Sequence, residues 1–133
     1  MELAGIIIAA LSLFATAATF IYDKVLQRKQ RTIEKLSELR NAYHDSIAGK
    51  GKKGEGDYYR NCVKFFGNVE QFCAGVLSHY YSYNTTEKNG SRFITMLFDD
   101  FKDYLIEQRR TMFNNENYYQ NLEKLVAKFN NKK

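Results

Sequence analysis

Apolar positions along this chain fall into two regimes. From Leu3 to Tyr22 twenty residues run without a charge, and beyond them apolar side chains recur at steps of three and four. At about 1.5 Å of rise per residue the first run makes a helix about 30 Å long, the thickness of a bilayer's hydrocarbon core. It predicts a membrane span. Val25, Leu26, Ile33, Leu36, Leu39, Tyr43 and Ile47 then carry helical periodicity onward with no proline to break it. One continuous helix is expected from about Leu3 to Ala48, its second half amphipathic.

Gly49 to Gly56 reads as a flexible polar linker. Asp57 is placed to cap a second helix, about Tyr58 to Tyr83, with Cys62, Phe65, Phe66, Val69, Phe72, Cys73, Val76 and Tyr80 on one stripe. A turn is expected at Asn84–Gly90, and Ser91 would cap a third helix to about Phe113, buried through Ile94, Leu97, Phe98, Phe101, Leu105 and Met112. A last helix, about Glu116–Phe129, presents Tyr118, Leu122, Leu125, Val126 and Phe129. Alternating strand patterns are missing, so the expected class is all-α. The expected organisation is a transmembrane anchor at 1–22, a basic juxtamembrane helix at 23–48, a linker at 49–56, and a small antiparallel three-helix bundle at 57–133. Such a bundle sits near the lower size limit for a self-sufficient core. Ten Phe and ten Tyr compensate by the area each buries.

Charge gives the span a direction. Residues 23–53 hold nine Lys or Arg against four Asp or Glu, whereas only Glu2 precedes the run. Lys24, Arg28, Lys29, Arg31 and Lys35 would be held on the cytoplasmic side, placing the N-terminus outside and the rest inside, in a bacterial inner membrane. There they would attract anionic lipid. The competing reading is a cleaved signal peptide, since Ala15-Thr16-Ala17 resembles a cleavage site, but a basic n-region is lacking. Residues 54–133 carry eleven basic against ten acidic residues. That near-balance argues against a nucleic-acid interface.

The span also carries a pattern of its own. Gly5, Ala9, Ser12, Thr16 and Thr19 alternate steps of four and three, a seam of small and hydroxylated residues suited to parallel homo-oligomerisation.

Candidate chemistry is sparse. Gly49 and Gly54 have the spacing of a phosphate-binding loop, but Glu55 stands where its lysine must be, so the match fails. His44 and His79 lie at no ligand spacing from a Cys, Asp or Glu, so no metal site, cofactor or catalytic group is expected. Cys62 and Cys73 read as buried small hydrophobes. Asp99, Asp100, Asp103 and Glu107 form a solvated acidic face. Glu70 and Arg109 border the apolar stripes of the second and third helices, and would meet in a partly buried ion pair if those helices pack antiparallel. Lys50, Lys52, Lys53 and Arg92 are the natural contacts for a small anionic ligand.

The run Asn68-Val69-Glu70-Gln71-Phe72-Cys73-Ala74-Gly75-Val76, then Ile106-Glu107-Gln108-Arg109, then Tyr118-Tyr119-Gln120-Asn121-Leu122-Glu123-Lys124-Leu125 resembles the bacterial domain-of-unknown-function 4760 family. The resemblance covers about residues 1–130. It implies a short protein with one N-terminal span and a helical cytoplasmic domain, and it brings no established activity. The expected function is therefore a non-enzymatic single-span protein that self-assembles and binds a partner or signal through its helical domain. By analogy, it would be a membrane-acting effector of bacterial antiviral defence. The alternatives are a passive membrane adaptor for a soluble protein, and a sensor of a nucleotide-type ligand.

Overall fold

The computed structural model describes residues 2–48, 56–111 and 118–131. It is all-α: α1 (Glu2–Ser46), α2 (Gly56–Leu77), α3 (Tyr83–Asp100), α4 (Lys102–Thr111) and α5 (Gln120–Asn130), with no strand among the described residues. The first helix is continuous, as its periodicity requires, and its 45 residues extend about 67 Å.

The inner half of α1 is a full member of the core, not a support beneath it. Leu36, Leu39 and Ile47 are buried in the same cluster as Phe65, Phe66, Val69, Leu97, Leu122 and Leu125. α1 packs on α2 and α3, and α5 packs on the same two from the other side, leaving little direct contact between α2 and α3. Pairs fix the directions. Tyr43 meets Phe65 while Arg31 reaches Tyr80, so α1 and α2 are antiparallel. Thr32 meets Ser82 and Tyr43 meets Phe93, so α1 and α3 run parallel. Tyr83 meets Phe129, so α3 and α5 are antiparallel. The result is a four-helix arrangement in which α2 and α3 are diagonal. The two helices expected to pair are thus held apart by α1 and α5.

Leu36, Leu39 and Ile47 are buried as their spacing requires, and the stripe departs from the expected one only at its start. Thr32 is fully buried, while Val25, Leu26 and Ile33 stay exposed. Thr32 belongs inside because its hydroxyl donates to Arg28 O (2.7 Å) and accepts from Ser82 N (2.8 Å). A polar side chain is tolerated there because it is satisfied on both sides.

The expected turn at Asn84–Gly90 is helix, and the chain reverses earlier. α2 ends at Leu77 because His79 takes a left-handed conformation (φ 68°), with Tyr80 N–H returning to Gly75 O (2.9 Å) and His79 N–H to Val76 O (3.2 Å). That bonding pattern satisfies the last carbonyls of a helix. Ser82, not Ser91, caps α3: its hydroxyl accepts from Thr85 N (3.2 Å). Asn89 and Gly90 read as turn residues, yet both are helical for local reasons. The Asn89 amide donates back to Thr85 O (3.1 Å). Gly90 lies where a Cβ would come within 2.6 Å of Leu36 Cδ2, so it is the absence of a side chain that lets α1 and α3 approach. The expected third helix is broken at Phe101 into α3 and α4, and Tyr104 and Gln108 of α4 reach Tyr59 near the start of α2. α5 begins after Tyr119, itself left-handed (φ 64°) and almost fully buried, whereas Tyr118 is only partly so.

Candidate membrane anchor and juxtamembrane cleft

Leu3, Ile6, Ile7, Ile8, Leu11, Leu13, Phe14, Phe20, Ile21 and Tyr22 are exposed, each at half or more of its full surface, and the folded chain covers none of this part of α1. So large an apolar surface is unstable in water and calls for lipid or protein cover. By length and composition this is a helix that can cross a membrane. On its seam Thr16 Oγ1 donates to Ser12 O and Thr19 Oγ1 to Ala15 O, both at 2.9 Å. The hydroxyls are thus satisfied within their own helix. They smooth the seam and are not spent on a neighbour. Thr16, Thr19 and Asp23 line one shallow groove, and around Gly5 the space is open.

The basic residues that follow the apolar run divide in two. Lys24 sits over the Phe20 ring (5.3 Å), Lys35 pairs with Glu38 (3.2 Å), and Arg31 lies 4.2 Å from the Tyr80 ring centre while donating to Tyr80 O (3.2 Å). Arg28 and Lys29 instead face a cleft of about 500 Å³, closed on its far side by His79, Ser82, Asn84 and Lys88. A smaller hollow beside it, about 200 Å³, is lined by Lys24, Arg28, Arg31 and Tyr80. Among the described residues no carboxylate lines either one. Lys88 carried no sequence signal, because the segment holding it reads as a turn, and only the parallel packing of α1 and α3 brings it into the lining of the same cleft as Arg28.

Glu70 and Arg109 do not meet. The Glu70 carboxylate accepts from Asn121 N (3.1 Å), Asn121 Nδ2 (3.0 Å) and Leu122 N (2.8 Å), so it caps α5 from α2. The first amides of a helix lack internal partners, and Tyr119, the residue before α5, offers them no side chain. A carboxylate there is also stabilised by the positive end of the helix dipole. Arg109 goes to the other side of the same junction, pairing with Glu123 (2.8 Å) and donating to Tyr118 O. The expected ion pair is replaced by two separate attachments of α5, which lies beside α2 and presents its first amides to Glu70 and its Glu123 to Arg109 of α4.

Of the expected anionic-ligand contacts, Lys50, Lys52 and Lys53 lie outside the described residues. Arg92 lines a groove of about 560 Å³ that also holds Glu87 and Asp99, a poor setting for an anion. Asp99, Asp100, Asp103 and Glu107 are exposed, and Glu107 pairs with Arg110 (3.2 Å). Cys62 and Cys73 are free and buried, and burial pushes both thiols up, Cys73 further under the nearby Glu70 charge. Neither is a thiolate at neutral pH. Among the described residues no three of His, Cys, Asp and Glu gather as metal ligands.

An all-α chain with a 45-residue first helix, bare and apolar at one end and buried in a bundle at the other, defines the class of this protein. It belongs to the family Domain of unknown function (DUF4760), whose profile matches residues 3–129. Neither a curated protein nor a solved structure matches the chain.

Proposed function

We propose that this is a non-enzymatic, single-span membrane protein, N-terminus outside and helical domain in the bacterial cytoplasm. It self-assembles through its span and passes a signal between span and bundle, as a membrane-acting effector would. One observation carries the reading: α1 continues without a break from its exposed apolar half into the core, where Thr32, Leu36 and Leu39 are buried. A rigid rod shared by membrane and core couples them, since a rotation or shift of the span must move the side chains around which the bundle packs. Assembly would use the small-residue seam by close backbone approach, its hydroxyls being bonded internally.

The test combines topology with assembly. Reporters active only in the periplasm or only in the cytoplasm are fused to Lys133, and cross-linking in membranes compares wild type with Ala9→Leu/Ser12→Leu/Thr16→Leu. Cytoplasmic activity together with loss of the cross-linked oligomer in the variant is expected. Periplasmic activity reverses the orientation, and unchanged cross-linking removes the seam. Overexpression with a membrane-potential dye then separates an effector, which depolarises, from a passive adaptor, which does not.

A further inference from the structure

We infer that the outward face of α1 over residues 26–37 is where a second copy of this chain docks, as a parallel two-stranded coiled coil. This pairing rests on the membrane-anchored, self-assembling reading above, and carries the contact out of the span to the level of the bundle.

The repeat is the first support. The alternation of four and three that joins Gly5 to Thr19 does not stop with the apolar run, but continues through Asp23, Leu26, Gln30, Ile33 and Ser37. A sustained 3.5-residue repeat is the mark of helices that wind left-handed around one another. Leu26 and Ile33 occupy the same position of that repeat, and they are 48% and 45% exposed although they stand in the charged half of α1. The bundle does not account for them. Val25, the other exposed large apolar residue of this half, lies off the repeat, in the wall of the cleft beside Arg28.

The bundle also leaves this face open. At about 100° per residue, the stripe from Leu26 to Ser37 is centred about 120° around α1 from the buried Thr32, Leu36 and Leu39. Ile33, Glu34, Ser37 and Asn41 are exposed there. A 3.5-residue repeat drifts slowly around a straight helix, and here the drift ends against α3. Arg40, next in the series, donates to Asn89 O and lies over the Phe93 ring (5.6 Å). Room for a second helix beside α1 therefore extends down to Ser37.

Charge identifies the occupant. In a parallel pair, the residues flanking the stripe meet across it at a spacing of five, one from each copy. Lys29 and Glu34 stand at those flanking positions, with that spacing and opposite charge. Both are exposed, and among the described residues neither makes an ion pair within its own chain. The face is thus self-complementary, and two copies form the pair twice. Gln30, on the stripe between them, is the kind of polar residue that fixes register at some cost in stability. Copies anchored in one membrane with one orientation present the stripe at the same depth, as a parallel pair requires.

The test adds one cysteine at a time to the full chain and oxidises membranes of the expressing cells with copper phenanthroline. Leu26→Cys and Ile33→Cys lie on the stripe, Lys24→Cys and Glu38→Cys on the opposite side, and Thr16→Cys in the span. Cys62 and Cys73 are buried, so the parent chain gives the background. A disulfide needs Cβ atoms about 4 Å apart, so Leu26→Cys and Ile33→Cys should give dimer while Lys24→Cys and Glu38→Cys stay at background. With Ile33→Cys present, Lys29→Glu and Glu34→Lys should each slow cross-linking about fivefold, and the two together should restore it. Equal cross-linking on both sides of α1, or a double charge variant no better than the singles, overturns the coiled coil. Dimer from Thr16→Cys without dimer from Leu26→Cys and Ile33→Cys confines the contact to the span, which overturns this pairing and leaves the self-assembling reading standing. No dimer from any of the three overturns that reading as well. A cross-linked product of another mass at Leu26→Cys and Ile33→Cys overturns a second copy as the occupant.

Discussion

At the scale of single residues, Glu70 shows how much one side chain can organise. It stands on α2, yet its three accepted hydrogen bonds are all from the first turn of α5. Hydrogen bonds to a charged group contribute about 1.5–3 kcal/mol, and a carboxylate at a helix start adds to that. Glu70→Ala should therefore lower unfolding free energy by about 2–3 kcal/mol. Glu70→Gln, which keeps one acceptor oxygen and loses the charge, should cost less. Urea unfolding in detergent followed by circular dichroism gives both values. Equal small losses of a few tenths of a kcal/mol would mean that α5 does not depend on this cap. Arg109 holds the same junction through Glu123 and Tyr118 O, so both residues singled out at the sequence level are structural, each with a different partner from the one expected.

At the scale of elements, α1 does two jobs with one unbroken helix. Its outer half, from Leu3 to Tyr22, is exposed, uncharged and mostly apolar. Its inner half supplies Leu36 and Leu39 to the core and Thr32 to the start of α3, with Ile47 buried just past its end. A bundle of α2 to α5 alone would leave a trough where α1 lies, lined by residues such as Phe65 and Gly90. A chain starting at Lys24 should accordingly unfold cooperatively on heating, and a chain starting at Asp57 should not. Leu36→Ala in the longer chain should cost about 2–5 kcal/mol, as deletion of a buried Leu side chain does. Cooperative melting of the 57–133 fragment would make α1 a mere support.

At the scale of the whole molecule, the core is rich in acids kept neutral by burial. Desolvation raises Tyr58, Tyr104 and Tyr119 above the ordinary 10.0, and raises Cys62 and Cys73 above the ordinary 9.0. Tyr83, bonded to Glu87 (2.9 Å), is pushed up to about 12, again chiefly by desolvation. The direction of the effect on stability follows. Below pH 9 folded and unfolded chains both keep these protons, and the contribution is intact. As pH climbs through 9 and 10, the unfolded chain releases protons that the folded chain still holds, and stability falls. The melting temperature should be level between about pH 7 and 8.5 and drop steadily above about pH 9. A level profile to pH 11 would mean that these groups ionise within the intact fold.

The sequence by itself determined the all-helical class, the unbroken first helix, the length of its apolar run and the basic cluster that follows it. These are local properties, set by side-chain order at a period of 3.6 and by the solvent each run demands. It also placed most of the core, from Phe65 and Val69 to Leu122 and Phe129. Neighbours were decided only in three dimensions. Whether Asn89-Gly90 turns or stays helical depends on Leu36, fifty-four residues before Gly90, needing the space a Cβ would fill. Whether Glu70 meets Arg109 or α5 depends on which helix lies beside α2. Lys88 lines the same cleft as Arg28 only because α1 and α3 run parallel, an orientation no local pattern encodes. Periodicity tells a helix which face to bury, but the partner that covers the face is chosen by the fit of all four helices at once.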